Sequence, residues 1–480
     1  MRGYSLLLRV FRFGTLLGTV ATVAGCAAFS PDAGMGAVND VVAPVLREDA
    51  VKLGTDADAA AALTRTQQLL KAPLSAETAV RIALLNNKGL QAAYNELGIA
   101  EAVMVQASQP PSPTISLSRI STSVELDIER RIVADILALA TLPARADIAA
   151  DRFHQAQLRA AEETLRVAIA ARRSYYRAVA ALGIVAALDE AVSAADTATK
   201  LAKELGQTGA MNKLDQARED AFHADLVIRL ATARSNAATE RERLIRAMGL
   251  DDAERNAKLP RALPALPRKL PAPAAVETEA LRRRVDLQIA RIELDALAKT
   301  YGLTNATRFI NLVEVSGISR TQRESSGASG SGGGAEVALQ IPIFDFGEAR
   351  LRQAGEIYMQ AVNRLAEKAV NVRSQARAAY AHYRFSYDIA SQYRARVLPL
   401  RKLIADETML HYGAMQIDVF ALLTEAQRRI AANLAAIEAQ RDFWLASANL
   451  DAAIVGGDVS EDDGSPRPAA DRGSATNHEP

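Results

Sequence analysis

The sequence predicts a mainly α-helical fold with a β-barrel part, in which very long helices of coiled-coil type accompany four short strands per chain. Three observations predict it. Positions 351, 358, 365, 372, 379, 386, 393 and 400 read Leu, Tyr, Leu, Val, Ala, Ser, Tyr, Leu, and the companion series from 355 to 404 reads Gly, Val, Ala, Ala, Tyr, Ala, Val, Ile. A mostly apolar seven-residue repeat held this long marks one stripe of a supercoiled helix roughly 80 Å long. Short segments elsewhere alternate apolar and polar residues, as half-buried strands do. The same order of elements then occurs twice, offset by about 204 residues.

Residues 1–25 read as a signal peptide. Arg2, Arg9 and Arg12 supply the positive start, and Leu6 to Val23 is mostly apolar but short and irregular for a membrane span. The segment ends in Val23-Ala24-Gly25-Cys26, which resembles the lipobox of bacterial lipoproteins. Cys26, the only cysteine, is then the expected lipidation site, with palmitate among its acyl chains. Several acyl chains make a stable anchor at roughly 0.8 kcal/mol per buried CH₂. Residues 26–74 become a lipidated N-terminal extension, a short polar lead. Ala27 stands where an Asp usually retains such proteins at the inner membrane, so the expected address is the outer membrane.

The first repeat spans 75–250. Ser75 is placed to cap a helix that carries Ala79, Ile82, Ala83, Ala93, Leu97, Ala100 and Val103 and ends before Pro110-Pro111-Ser112-Pro113. Thr114 to Ser118 alternates as a strand. A less clear strand lies within Ile128 to Thr141, and the charges of Glu125, Asp127, Glu129, Arg130 and Arg131 suit a turn better than a lipid-facing strand. A very long helix runs from about Ala144 to Leu205, Gly206 to Ala210 breaks it, and Lys213 to Met248 returns and stops at Gly249.

Five prolines make 251–276 a stiff extended connector. The second repeat spans 277–455. It comprises a helix from Glu277 to Lys299, a strand from Phe309 to Val315 and a Ser/Gly-rich loop from Gly317 to Gly334. Val337, Leu339, Ile341 and Ile343 then alternate with polar or small residues. The heptad helix starts near Gly347 and ends near Gly413, kinked but not stopped at Pro399. A last helix covers Ile417 to Ile454. Residues 456–480 read as a disordered tail.

Four strands cannot close on themselves in lipid. The smallest membrane barrels have eight, and each unpaired backbone group in hydrocarbon costs several kcal/mol. Closure therefore requires several copies. Alternation alone fits a small soluble sheet capping a helical bundle equally well; the export signal, the Gly-rich loop and the helix lengths favour the membrane. The helical stripe likewise fits either a hollow tube or a solid bundle.

Alanine is about one residue in five and aromatics are 5%, a composition for close helix packing rather than a thick core. Formal net charge is +1 with no basic domain, which argues against nucleic acid as a partner. His154, His223, His382, His411 and His478 show no metal-ligand spacing, and the methionines are dispersed. Gly327 to Gly334 lacks the Lys-Ser/Thr ending of a phosphate loop. No nucleophile–base pair suggests an enzyme, and no cofactor is expected beyond the lipid on Cys26.

Four stretches together resemble the TolC family of outer-membrane factors, in its lipoprotein branch serving tripartite efflux pumps. They are Ala76 to Gln91 with Asn86 and Asn87, Gln109 to Leu117, the specific Gln340-Ile341-Pro342-Ile343-Phe344-Asp345-Phe346-Gly347, and Tyr412-Gly413 with Ile417-Asp418-Val419 and Ala426-Gln427. The resemblance covers about residues 70–455. It implies a homotrimer with a twelve-stranded barrel in outer-membrane lipid and a tunnel of twelve helices through the periplasm. It also implies two partners, a periplasmic adaptor and an inner-membrane transporter, and passive conduction of small molecules or ions. The alternative is a periplasm-spanning lipoprotein scaffold that transports nothing. Ser112 departs from the family's usual Asn, and the tip from Gly206 to Asp215 reads one residue longer than its counterpart.

Pro342, Asp345 and Gly347 are the expected strand-to-helix joint. Pro342 ends the ladder for want of an N–H, Asp345 caps, and Gly347 permits the bend. Gly209 and Gly413 are expected where long helices turn back. Asp215 and Asp418 beside them are either helix caps or, repeated around a narrow lumen, a negative gate.

Overall fold

The computed structural model describes residues 29–250 and 257–456. The signal segment, Cys26 and the expected tail beyond Gly456 lie outside the described residues. In chain order the elements are α1 (Met35–Leu46), α2 (Asp56–Leu69), α3 (Ala76–Asn86), α4 (Lys88–Ala107), β1 (Thr114–Ser121), β2 (Glu125–Asp135), α5 (Ile136–Ala140), α6 (Leu142–Gln207) and α7 (Lys213–Met248). The second half supplies α8 (Pro273–Arg283), α9 (Val285–Ala306), β3 (Leu312–Glu324), β4 (Ser329–Gln340), α10 (Glu348–Gln392), a π-helical turn (Tyr393–Val397), α11 (Leu398–Gly413) and α12 (Val419–Val455). The chain falls into two units. One takes residues up to Leu69, 81–164 and 285–371; the other takes 70–80, 165–284 and Val372 onward. Each unit therefore draws on both sequence repeats.

The first unit contains the sheet and the N-terminal helices. The polar lead is folded: Val38 and Val42, one turn apart on α1, are fully buried. The Asn39 side chain accepts from the Ala50 N–H at 2.7 Å and donates to its carbonyl at 3.2 Å. Asn86 Nδ2 donates to Thr66 Oγ1 at 2.7 Å. The helix expected to run unbroken from Ser75 is interrupted at Asn87, which is extended and whose side chain accepts from Leu90 N–H. Arg284 interrupts the second repeat in the same way, with φ −64° and ψ 118° against −66° and 110° at Asn87. Beyond the first break Leu97 is buried and Val103 is exposed, since Val105 takes the inward position. Tyr94 binds Thr164 of α6 at 2.9 Å with both side chains buried, and burial pushes its phenol up to about 12.

The four strands form one antiparallel sheet in the order β1-β2-β3-β4. Two expectations fail here. The charges of Glu125 to Arg131 lie within β2, not in a turn, because they pair across the sheet. Gly317 to Gly334 is not a loop either. β3 runs on to Glu324 and β4 begins at Ser329, leaving a four-residue turn with Gly327 at φ +87°. Glycine composition suggested a loop, but a glycine carries a full donor and acceptor, and Gly330 to Gly334 pair residue for residue with Gln322 to Ile318.

The second unit holds long helices packed on narrow stripes. On α10 the buried residues are Val372, Ala376, Ala379, Tyr383, Ser386 and Ala390, the expected heptad. The stripe does not continue in register. Pro399 offers no N–H, and the chain widens into a π-turn just before it, in which Leu398 N–H reaches the Tyr393 carbonyl. The extra residue rotates the following face. Leu400 and Ile404, expected inside, are 52% and 42% exposed, while Arg401, Ala405 and Thr408 turn inward. The first repeat has no such insertion: α6 runs 66 residues unbroken.

Leu188, Ala195, Leu226, Leu230 and Ala233 form a core between α6 and α7. Trp444 stacks on Tyr176 and meets Phe443 edge to face, each at a centroid spacing of 5.2 Å. The proline-rich connector lies against this cluster: Trp444 Nε1 donates to the Pro264 carbonyl at 3.0 Å and Tyr380 Oη to that of Pro271 at 3.0 Å. α8 starts at Pro273, inside the expected connector, because proline is favoured in a first helical turn.

Candidate functional site: a two-faced sheet and the helix turns

In an antiparallel ladder, directly paired residues share a face, so the register sorts every strand residue onto one of two surfaces. The first carries Ser116, Ser118, Asp127, Glu129, Arg131, Ser316, Arg320, Gln322 and Glu336, glycines at 330, 332 and 334, and four apolar residues, Ile120, Val133, Leu312 and Ile318. It is mainly polar and ion-paired. Arg320 meets Glu129 at 2.9 Å and Asp127 at 3.4 Å; Arg131 meets Glu129 at 3.2 Å and Glu336 at 3.2 Å. These bonds tie β2 to β3 and, across β3, to β4.

The second surface carries Ile115, Leu117, Leu126, Ile128, Ile132, Ala134, Val313, Val315, Ala335, Val337 and Leu339, with Arg119, Arg130 and Arg323 toward the hairpin turns. Ile115 is 75% exposed, Leu117 71% and Val337 61%. A sheet capping a soluble bundle would cover these residues, and this one does not. An exposed apolar patch of this kind marks a surface that meets lipid or another chain. β1 and β4 each also present an unpaired edge.

Pro342, Asp345 and Gly347 come together at one corner. The β-ladder ends at Gln340, whose carbonyl accepts from Asn311 N–H at 2.8 Å. Pro342 then accepts from Phe346 N–H at 2.8 Å. Asp345 accepts from the N–H groups of Gly347 at 3.0 Å and Ala349 at 3.3 Å, which satisfies the first donors of α10. Gly347 has φ +74°, and a Cβ there would lie 2.2 Å from the Arg308 carbonyl oxygen. Phe344 beside it is 98% exposed.

The two turns in the second unit are equal in length, 208–212 and 414–418; the extra residue expected in the first is absent. Gly209 takes the left-handed position of its turn at φ +77°. Gly413 does not: it is the last residue of α11, and Met415 takes φ +58° instead. Asp418 is the N-cap of α12, accepting from Ala421 N–H at 2.9 Å. Asp215 is not the cap of α7. Asn212 is, and Asp215 sits in the first turn, accepting from the Asn212 side chain at 2.7 Å and pairing with Arg218 at 3.2 Å. The Asn-x-x-Asp spacing resembles a capping box, a signal present in the sequence. Arg218 also lies 5.0 Å over the Phe420 ring and so links α7 to α12.

Two buried carboxylates near these turns carry no signal in the sequence. Glu425 is buried on α12 and is held by Arg401, 3.2 Å away on α11. Glu219, on α7, is 3% exposed, and its Oε1 has no hydrogen-bond partner among the described residues. Burial first, and the charge of Asp220 second, raise its pKa, with His223 opposing. The folded state then holds this proton more tightly than the unfolded chain. The contribution to stability is full below the unfolded value of about 4.5 and declines as pH rises toward the raised folded value. Glu219→Gln is expected to stabilise the protein at pH 7 by about 1 kcal/mol. It should also flatten the pH dependence of the thermal midpoint above pH 4.5, which scanning calorimetry across pH measures.

No protein family and no curated protein matches the sequence. Solved structures do match the fold. The chain superposes on the outer-membrane channel OprN with a TM-score of 0.69 at 18% identity, covering 82% of this chain and 92% of that one. For CusC, described in terms of folding and transmembrane channel formation, the values are 0.66 and 16%, covering 80% and 92%. For the outer membrane protein VceC of Vibrio cholerae they are 0.65 and 13%, covering 82% and 97%. The chain therefore has the fold of these outer-membrane proteins.

Proposed function

We propose that this chain, having the fold of outer-membrane channels, is the outer-membrane duct of a tripartite efflux system. Three copies join their sheets edge to edge into one barrel, apolar face to lipid and ion-paired face to water. Their long helices continue the duct into the periplasm, where an adaptor and an inner-membrane transporter deliver small molecules or ions. The duct is passive and performs no chemistry. Acyl chains on Cys26 add an anchor independent of the barrel; the intact mass of the mature chain tests this, and a mass equal to the bare polypeptide from Cys26 removes the anchor from the proposal.

The observation that carries the reading is the separation of faces on an open sheet. A four-stranded sheet with a bare apolar side and two unpaired edges is unsatisfied in water and satisfied in a lipid-embedded ring. Reconstitution into planar bilayers tests it. The expected result is a stable trimer giving steady single-channel currents. A monomer that floats with vesicles only through its lipid and passes no current instead identifies the non-transporting scaffold.

A further inference from the structure

The four strands contain five arginines, and the register divides them. Arg131 and Arg320 lie on the polar face, and each meets two carboxylates there. Arg119, Arg130 and Arg323 lie on the opposite, apolar face. Every carboxylate of the strands is on the first face, so these three have no acid beside them on their own surface. All three are exposed.

Their height on the sheet is also ordered. Arg323 pairs with Leu126, Arg119 with Ile128, and Arg130 with Leu117, all in the half that ends in the two turns. Ile115, Ile132, Val315, Val337 and Leu339 occupy the half that joins the helices. From Leu117 to Leu339 the apolar rows rise roughly 20 Å along the strands at about 3.4 Å per residue, within the roughly 25 Å band of membrane barrels, and Leu126 and Ile128 lie beyond them among the arginines. The arginines therefore sit at the border of that band on the side away from the helices. Ser319, Thr321 and Ser329 stand beside them on the same face and supply further hydrogen-bond donors.

We propose that Arg119, Arg130 and Arg323 form a headgroup site that binds the phosphates of anionic lipids in the leaflet at the turn-bearing end of the sheet. An arginine facing hydrocarbon is costly. At the border its long stem stays along the apolar face while the guanidinium reaches phosphate, which it binds through paired N–H groups. The absence of acids on this face leaves the positive charge free to select a negative headgroup.

This inference rests on the membrane reading of the sheet. The full-length protein is reconstituted in equal parts phosphatidylglycerol and phosphatidylcholine, re-isolated, and its retained lipid identified by mass spectrometry. The expected result is enrichment of phosphatidylglycerol by at least about fivefold, the preference of a single arginine near an anionic surface. It should fall to near unity in R119Q/R130Q/R323Q and persist in R119K/R130K/R323K. Gln322→Ala, altered on the other face, should keep it. If the triple glutamine variant does not assemble, R130Q alone should lower the ratio. Unchanged enrichment in the assembled glutamine variants, or its removal by inorganic phosphate, overturns the headgroup site. A wild-type protein that inserts and conducts without any preference overturns this inference alone. One that does not insert overturns the membrane reading beneath it.

Discussion

Gly347→Ala is expected to abolish assembly, with the chain recovered as aggregate or as unassembled monomer. Two costs combine at this position. A residue with a side chain at φ +74° loses about 1–2 kcal/mol relative to glycine. The added methyl would also lie 2.2 Å from a backbone oxygen, that of Arg308, which cannot rotate away as a flexible side chain would. Arg308 is held in turn: its carbonyl accepts from Arg350, whose guanidinium also binds Asn311. Relief requires moving the last residues before β3 or the first turn of α10, and both set the angle between sheet and helix. Gly413→Ala is the matched control. No atom lies within 4 Å of its Cβ position, and it ends a helix in ordinary geometry, so assembly should be unchanged. Gel mobility of the unheated protein in mild detergent reads both variants. Normal assembly of Gly347→Ala would refute the account of this corner.

Val337→Arg is the second large effect. Val337 lies on the apolar face, paired with Val315 and well inside the zone that meets lipid in the proposed assembly. An arginine at such depth costs about 2–4 kcal/mol per site in a membrane barrel. Each copy in a ring bears that cost, so loss of the proposed oligomer is expected. Ala338→Arg, one residue on, faces the polar side opposite Glu314 and should change stability by no more than about 0.5 kcal/mol. If the two variants behave alike, the sheet has no lipid face. Chemical unfolding of refolded oligomer measures the difference.

The parts of the fold legible in the sequence are those that local chemistry decides alone. The bounds of α7 follow from its helical pattern and from Gly249, which takes the left-handed cap at φ +69°. The joint at Pro342 to Gly347 is readable because each residue supplies a distinct local need. The heptad from Val372 to Ala390 is readable because one buried stripe needs one period. What escaped depended on partners distant in sequence. Glu129 and Arg131 look wrong for a strand until Arg320 and Glu336 are placed beside them, and those lie 191 and 205 residues away. Gly330 to Gly334 look like a loop until β3 supplies their ladder. The rotation after Tyr393 is invisible because a π-turn adds one residue to a turn without any special composition. Asp418 and Asp215, alike in sequence, differ in structure because Asn212 takes the cap in one turn and Asp418 itself takes it in the other.

The sheet's simple meander has an arithmetical consequence. Its outermost strands, β1 and β4, point in opposite directions, since three antiparallel steps separate them. When one copy's last strand meets the next copy's first, that junction repeats the up-down alternation found inside each copy. An odd-stranded unit would force like-directed neighbours at every boundary. Two hairpins in one chain thus make a tile whose even parity would let identical copies meet edge to edge without a seam.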